Sequence, residues 1–141
     1  MAKSGILRAK VVYPSHSLSP EDFLTFIELN WFTKDWDDLG LRESDDELCA
    51  LQLMIMCDPT GYPVISGTNG LRKLRFAPAK WKVGKRGALR VAFVYFERFA
   101  VVLLVTLFQK NEKGDLTKDD LKLINGLIAR IETELALRYS L

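Results

Sequence analysis

The chain has 141 residues, 48% hydrophobic and 27% charged, with 9 Gly and 5 Pro. That composition excludes a disordered or collagen-like chain and suits one domain able to bury a core without disulfides. The formal charge is only +2, and 2 Cys and 1 His exclude a disulfide framework and a His-rich metal site.

Residues 1–10 carry Lys3 and Arg8 but no apolar run of signal-peptide length, so no targeting segment is expected. Residues 1–20 read as an N-terminal extension and residues 21–141 as a single domain. Within the extension, 6–13 suits a short strand before Pro14, Ser15, Ser17, Ser19 and Pro20 break the pattern. His16 falls there and reads as inert.

Residues 24–29 read as a strand. Phe32, Trp36 and Leu39 then fall at i, i+4 and i+7 on a short amphipathic helix, with Gly40 as its stop. Ser44 or Asp45 caps a second helix running to Cys57, whose first turn holds Asp46 and Glu47 where the helix dipole favours acids. Residues 48–57 are apolar on nearly every face, so Met54 and Met56 read as core rather than binding surface. Cys49 and Cys57 read as buried bystanders in a reducing cytoplasm.

Residues 58–70 are rich in turn formers, and Gly67 and Gly70 read as turn residues because no phosphate-loop or dinucleotide fingerprint surrounds them. Three strands follow, at 71–77, 88–96 and 100–109, the last two close enough to form an antiparallel hairpin. Residues 99–108 are the longest charge-free part of this apolar region, ten residues against the ~20 of a membrane helix, so a soluble protein is expected. Thr117 and Asp120 form an approximate capping box for a long C-terminal helix with Leu121, Ile124, Ile128, Ile131 and Leu135 on one face. The order predicts an α+β domain: a small antiparallel sheet, two N-terminal helices and a long C-terminal helix.

The near-neutral total conceals a polar distribution. Residues 21–58 hold eleven acids and two bases, a net −9; residues 71–113 hold eleven bases and two acids, a net +9. Such asymmetry points to a polyanion partner. Strand alternation then places Lys73 and Arg75 on one face, and Thr106, Phe108 and Lys110 on one face of the last strand. One concave sheet surface is expected to gather Lys73, Arg75, Arg90 and Lys110, flanked by Lys80, Lys82, Lys85 and Arg86 of the 78–87 loop. Trp81 in that loop is either a base-stacking ring or a loop anchor.

Three blocks carry a family resemblance. They are Gly67-Thr68-Asn69-Gly70-Leu71-Arg72-Lys73-Leu74-Arg75-Phe76, Gly84-Lys85-Arg86-Gly87-Ala88-Leu89-Arg90-Val91, and Leu104-Val105-Thr106-Leu107-Phe108-Gln109-Lys110-Asn111-Glu112-Lys113 with Asp115-Leu116-Thr117. Together with Phe26-Ile27-Glu28, Phe32-Thr33-Lys34 and Asp58-Pro59-Thr60-Gly61, they resemble the RelE/HigB-type toxins of bacterial toxin–antitoxin systems, the HigB-like branch above all. The resemblance covers about residues 24–135.

The resemblance implies a RelE-like fold and a cytoplasmic mRNA endonuclease acting on the ribosome, neutralised by a cognate helix-turn-helix antitoxin. It implies no cofactor and no metal: the ribose 2′-hydroxyl attacks the adjacent phosphate and the 5′-oxygen leaves. Such a step needs a base, an acid and cations around the phosphorane. The matched positions give Lys73 and Arg75 to proton transfer and phosphate contact, Arg90 to the transition state, and Lys110 to the leaving group. Arg72, Lys80, Trp81, Lys82, Lys85 and Arg86 would hold the RNA. The chain departs from the family pattern at Phe93 and Phe108, where tyrosines are common, and at Ala88 in place of a glycine. Tyr95 has the wrong parity to substitute on the Arg90 face unless a bulge intervenes. A binding-only relative, lacking cleavage, is the alternative these departures raise.

Overall fold

The computed structural model describes residues 11–13, 16–18, 23–81, 88–109 and 116–139. The elements are β1 (Val11–Tyr13), β2 (His16–Leu18), β3 (Thr25–Glu28), α1 (Asn30–Asp38), α2 (Asp46–Cys57), β4 (Leu71–Phe76), β5 (Leu89–Phe96), β6 (Val101–Gln109) and α3 (Lys118–Tyr139). This is an α+β fold, with one four-stranded sheet in the order β3-β6-β5-β4.

Two features depart from the sequence reading. Val11–Tyr13 and His16–Leu18 pair antiparallel as a small sheet of their own, two strands where the sequence suggested one. β4, β5 and β6 are antiparallel as expected, but β3 adds beside β6 in parallel, making the sheet mixed. That pairing is accommodated because α1, α2, β4 and β5 lie between the two strands, well beyond the length a parallel crossover needs.

The helices divide between the two faces. Leu74, Phe76, Leu89, Val91, Phe93, Leu104 and Leu107 form a core with Phe32 and Trp36 of α1 and Leu51 and Ile55 of α2. The i, i+4 spacing stacks Phe32 on Trp36 at 5.3 Å, and Trp36 meets Phe76 at 5.9 Å. On the other face, Leu71, Ala92, Val94, Val101, Leu103 and Val105 pack with Ile124, Ile128 and Leu135 of α3. The apolar stripe read from the sequence is therefore the buried face of that helix.

Local signals explain most boundaries. α1 ends at Asp38, and Gly40 follows in the left-handed region at φ +73°. Leu39 is half-buried as its cap, and Leu41 is buried in its place. At the start of α2 the Asp45 side chain makes no capping bond, whereas the Asp46 N–H donates to Ser44 Oγ at 3.3 Å. Thr117 and Asp120 form a reciprocal box: the Thr117 N–H donates to the Asp120 carboxylate at 3.0 Å and the Asp120 N–H to Thr117 Oγ1 at 3.1 Å. The cysteines correct the expectation of burial, since Cys49 is exposed and Cys57 half-buried. The continuous apolar run around them leaves the outer side of α2 open, because only its Leu51 and Ile55 side reaches the sheet.

Among the described residues no helix is long and apolar enough to cross a membrane. Two stability changes follow from these contacts. Trp36→Ala should cost about 3–5 kcal/mol through the cavity it leaves, and Thr117→Ala about 1 kcal/mol through loss of the cap. Urea unfolding of both variants measures the difference.

Candidate functional site

Cross-strand register converts the basic strands into rows. Arg75 lies opposite Arg90, and Arg90 opposite Phe108. The neighbouring row is Lys73, Ala92 and Thr106, and the next is Leu71, Val94 and Leu103. All three rows share the face on which α3 packs: the Leu71 row and Ala92 of the middle row enter the α3 core, and the Arg75 row does not.

Lys73 is half-buried and Arg75 exposed. Arg90 is 6% exposed, and its Nη1 donates to the Ala88 carbonyl at 3.1 Å. Among the described residues neither Arg75 nor Arg90 has a carboxylate partner. Directly opposed residues have Cβ atoms ~4.5–5.5 Å apart, and like charges so placed are destabilising. Two arginines opposed across the strands could serve an anion, because each guanidinium can grip a phosphate through two N–H groups.

The register shifts between Ala92 and Phe93, where β6 carries one extra residue, Val105. The bulge lies in β6, so the parity of β5 is unchanged. Tyr95 packs against the α1–α2 core with Phe93 and stays off the Arg90 face. Phe108, 6% exposed and opposite Arg90, offers no hydroxyl there.

Other basic residues expected at the site lie elsewhere. Arg72 has the opposite parity, paired with Phe93, and its Nη1 donates to the carbonyls of Thr60 at 2.9 Å and Tyr62 at 2.6 Å. It secures the turn-rich segment. Lys80 Nζ donates to the Gly40 carbonyl at 2.8 Å and lies 3.6 Å from Glu43. The buried carboxylate of Glu47 accepts the N–H groups of Ala79 and Lys80, both at 3.1 Å, and so holds the start of the 3-10 turn Ala79–Trp81. Trp81 packs half-buried on the α1–α2 core, which makes it a loop anchor. Lys82, Lys85, Arg86 and Lys110 lie outside the described residues.

The sequence reading missed two supports. Asn125 on α3 accepts the Asn69 N–H at 2.9 Å and donates to the Gly67 carbonyl at 2.9 Å, fixing the turn that leads into β4. Gly67 and Gly70 take positive φ in that turn, +80° and +93°. Its signal was a lone amide beside Ile124 on the apolar side of a helix. The second is a cleft of about 250 Å³ between α1 and α3, lined by Trp31, Asp35, Thr106, Leu116 and Ile124 among others. Trp31 faces away from the Phe32 and Trp36 side of α1, which helical periodicity already implied.

Among the described residues no group of three or more His, Cys, Asp or Glu is placed to hold a metal ion. A scan of the sequence against models of known protein families gives no match.

The opposed arginines predict an anion response. Inorganic phosphate at about ten times its Kd should stabilise the protein by about 1.4 kcal/mol, seen as a rise in melting temperature. Arg75→Ala should abolish that rise and gain up to about 1 kcal/mol at low salt from relief of the like-charge pair. An equal phosphate response in the variant would show that the anion binds elsewhere.

Proposed function

We propose that the protein is a RelE/HigB-like toxin of a bacterial toxin–antitoxin module, a cytoplasmic, ribosome-dependent mRNA endonuclease. The observation that carries the reading is the opposed Arg75–Arg90 pair, with Lys73 in the next row, at the end of the sheet face that the α3 core leaves. The three sequence blocks of the resemblance supply the reaction class, and β4, β5 and β6, which carry them, are neighbouring strands.

The chemistry divides among these groups. Arg75 and Arg90 bind the scissile phosphate from adjacent strands, and their fixed charge offsets the negative charge that grows on the phosphorane. Arg90, buried and held by the Ala88 carbonyl, is prepositioned for that role. Lys73 takes the 2′-hydroxyl proton as that oxygen attacks phosphorus. As the 5′-oxygen leaves it takes a proton from water, Lys110 supplies positive charge beside it, and the products are a 2′,3′-cyclic phosphate and a 5′-hydroxyl. Lys82, Lys85 and Arg86 hold the backbone of the strand. These assignments involve no metal and no cofactor.

Phe108 favours a second reading, in which the protein binds RNA or its antitoxin without cutting, because the position opposite Arg90 lacks the family's hydroxyl. Under both readings the partner is a small helix-turn-helix antitoxin encoded next to this gene.

Induced expression should arrest growth, with primer extension showing cuts at fixed codon positions. Arg90→Ala and Arg75→Ala should each relieve the arrest. Arrest that persists in both variants overturns the assignment, and arrest without cuts selects the binding-only reading.

A further inference from the structure

The cleft between α1 and α3 adjoins the cationic rows. Thr106 stands in the row of Lys73 and Ala92, next to the row of Phe108, Arg90 and Arg75. Diagonal neighbours on adjacent strands are about 7–8 Å apart, so the Thr106 side of the cleft lies within one nucleotide of the Arg90 guanidinium.

Two of its residues offer contacts to a flat polar ring. Thr106 is 8% exposed and its side chain lines the open cleft. Trp31 keeps 40% of its surface exposed at the same cleft, while Trp36, five residues on, is fully buried. Leu116 and Ile124 line the cleft from the α3 side. Lys34, Asp35 and Asp120 line it too, so the space combines an open aromatic face, an apolar wall, a hydroxyl and two carboxylates able to accept from a base's N–H groups.

At about 250 Å³ the cleft is smaller than the ~300–1,000 Å³ of pockets for drug-sized ligands, and it suits one flat ring system. We infer that it is a nucleobase subsite: the base of a nucleotide whose phosphate lies on Arg75 and Arg90 stacks on Trp31 and hydrogen-bonds Thr106 Oγ1. The inference rests on the proposed RNA-binding reading and extends it to the group that is read beside the phosphate. A nucleotide matches both neighbours at this separation, with an anion on the arginines and a polar ring in the cleft.

The test compares a fluorescein-labelled, mixed-sequence RNA hexanucleotide with inorganic polyphosphate as competitor, by fluorescence anisotropy at low salt. Trp31→Leu, which keeps apolar bulk and removes the stacking face, should weaken the hexanucleotide by roughly 5- to 100-fold. Competition by polyphosphate should be unchanged, and Trp31→Phe should restore most of the RNA affinity. Thr106→Val should weaken the RNA by a few-fold, again without an effect on polyphosphate. Unchanged RNA affinity in Trp31→Leu, or equal losses for both ligands, overturns the subsite. If Arg75→Ala abolishes RNA binding while Trp31→Leu leaves it intact, the subsite alone fails. If the wild type does not bind the hexanucleotide, the RNA-binding reading fails and the subsite with it.

Discussion

β5 and β6 are covered on both faces, by α1 and α2 on one side and by α3 on the other, and that double burial governs where charge is allowed. Residues 101–108 are buried without interruption. An unpaired cation under either helical layer would lose its hydration without compensation. Arg75 and Arg90 stand in the row past Ala92, the last β5 residue of the α3 core on that face, toward the start of β5 and the end of β6. The cationic site is located by the extent of the helix above it.

The segments around that site are held by single polar residues at their ends. Glu47 fixes the turn after β4 through two backbone N–H groups, and Arg72 fixes the segment before it through two carbonyls. Asn125 ties the Gly67–Asn69 turn to α3. Each bond joins a charged or amide side chain to main chain that would otherwise lack a partner in its own turn. β4 is thereby held at both ends. Acid–base pairing within the acidic half is local, as in Arg42 bridging Glu28 at 2.8 Å and Asp37 at 2.7 Å. Those pairs place the α1–α2 connection, and none of them reaches Arg75 or Arg90.

Much of this was legible in residue order. The capping box of α3 needed only two residues one turn apart, and its apolar face only a period near 3.6. Alternation alone placed Arg75 with Lys73 and excluded Arg72 from their face. Cys49 shows the opposite case: an apolar run gave no sign of which side of α2 would meet the sheet. The burial of Trp81 and the Lys80 bond to Gly40 depend on a loop folding back onto α1 and α2, for which spacing carries no signal.

The sequence by itself determined the element order, the α+β class, the separation of acidic from basic segments and the side of each strand its cations occupy. These follow from periodicity and near-neighbour chemistry, in which interacting groups lie within a few residues. Only the tertiary structure decided that β3 joins β6 in parallel, that Arg75 stands opposite Arg90, and that Trp31 and Thr106 meet across a cleft. Each of those pairs segments far apart in the chain. Their register is set by which apolar faces bury together rather than by any local pattern.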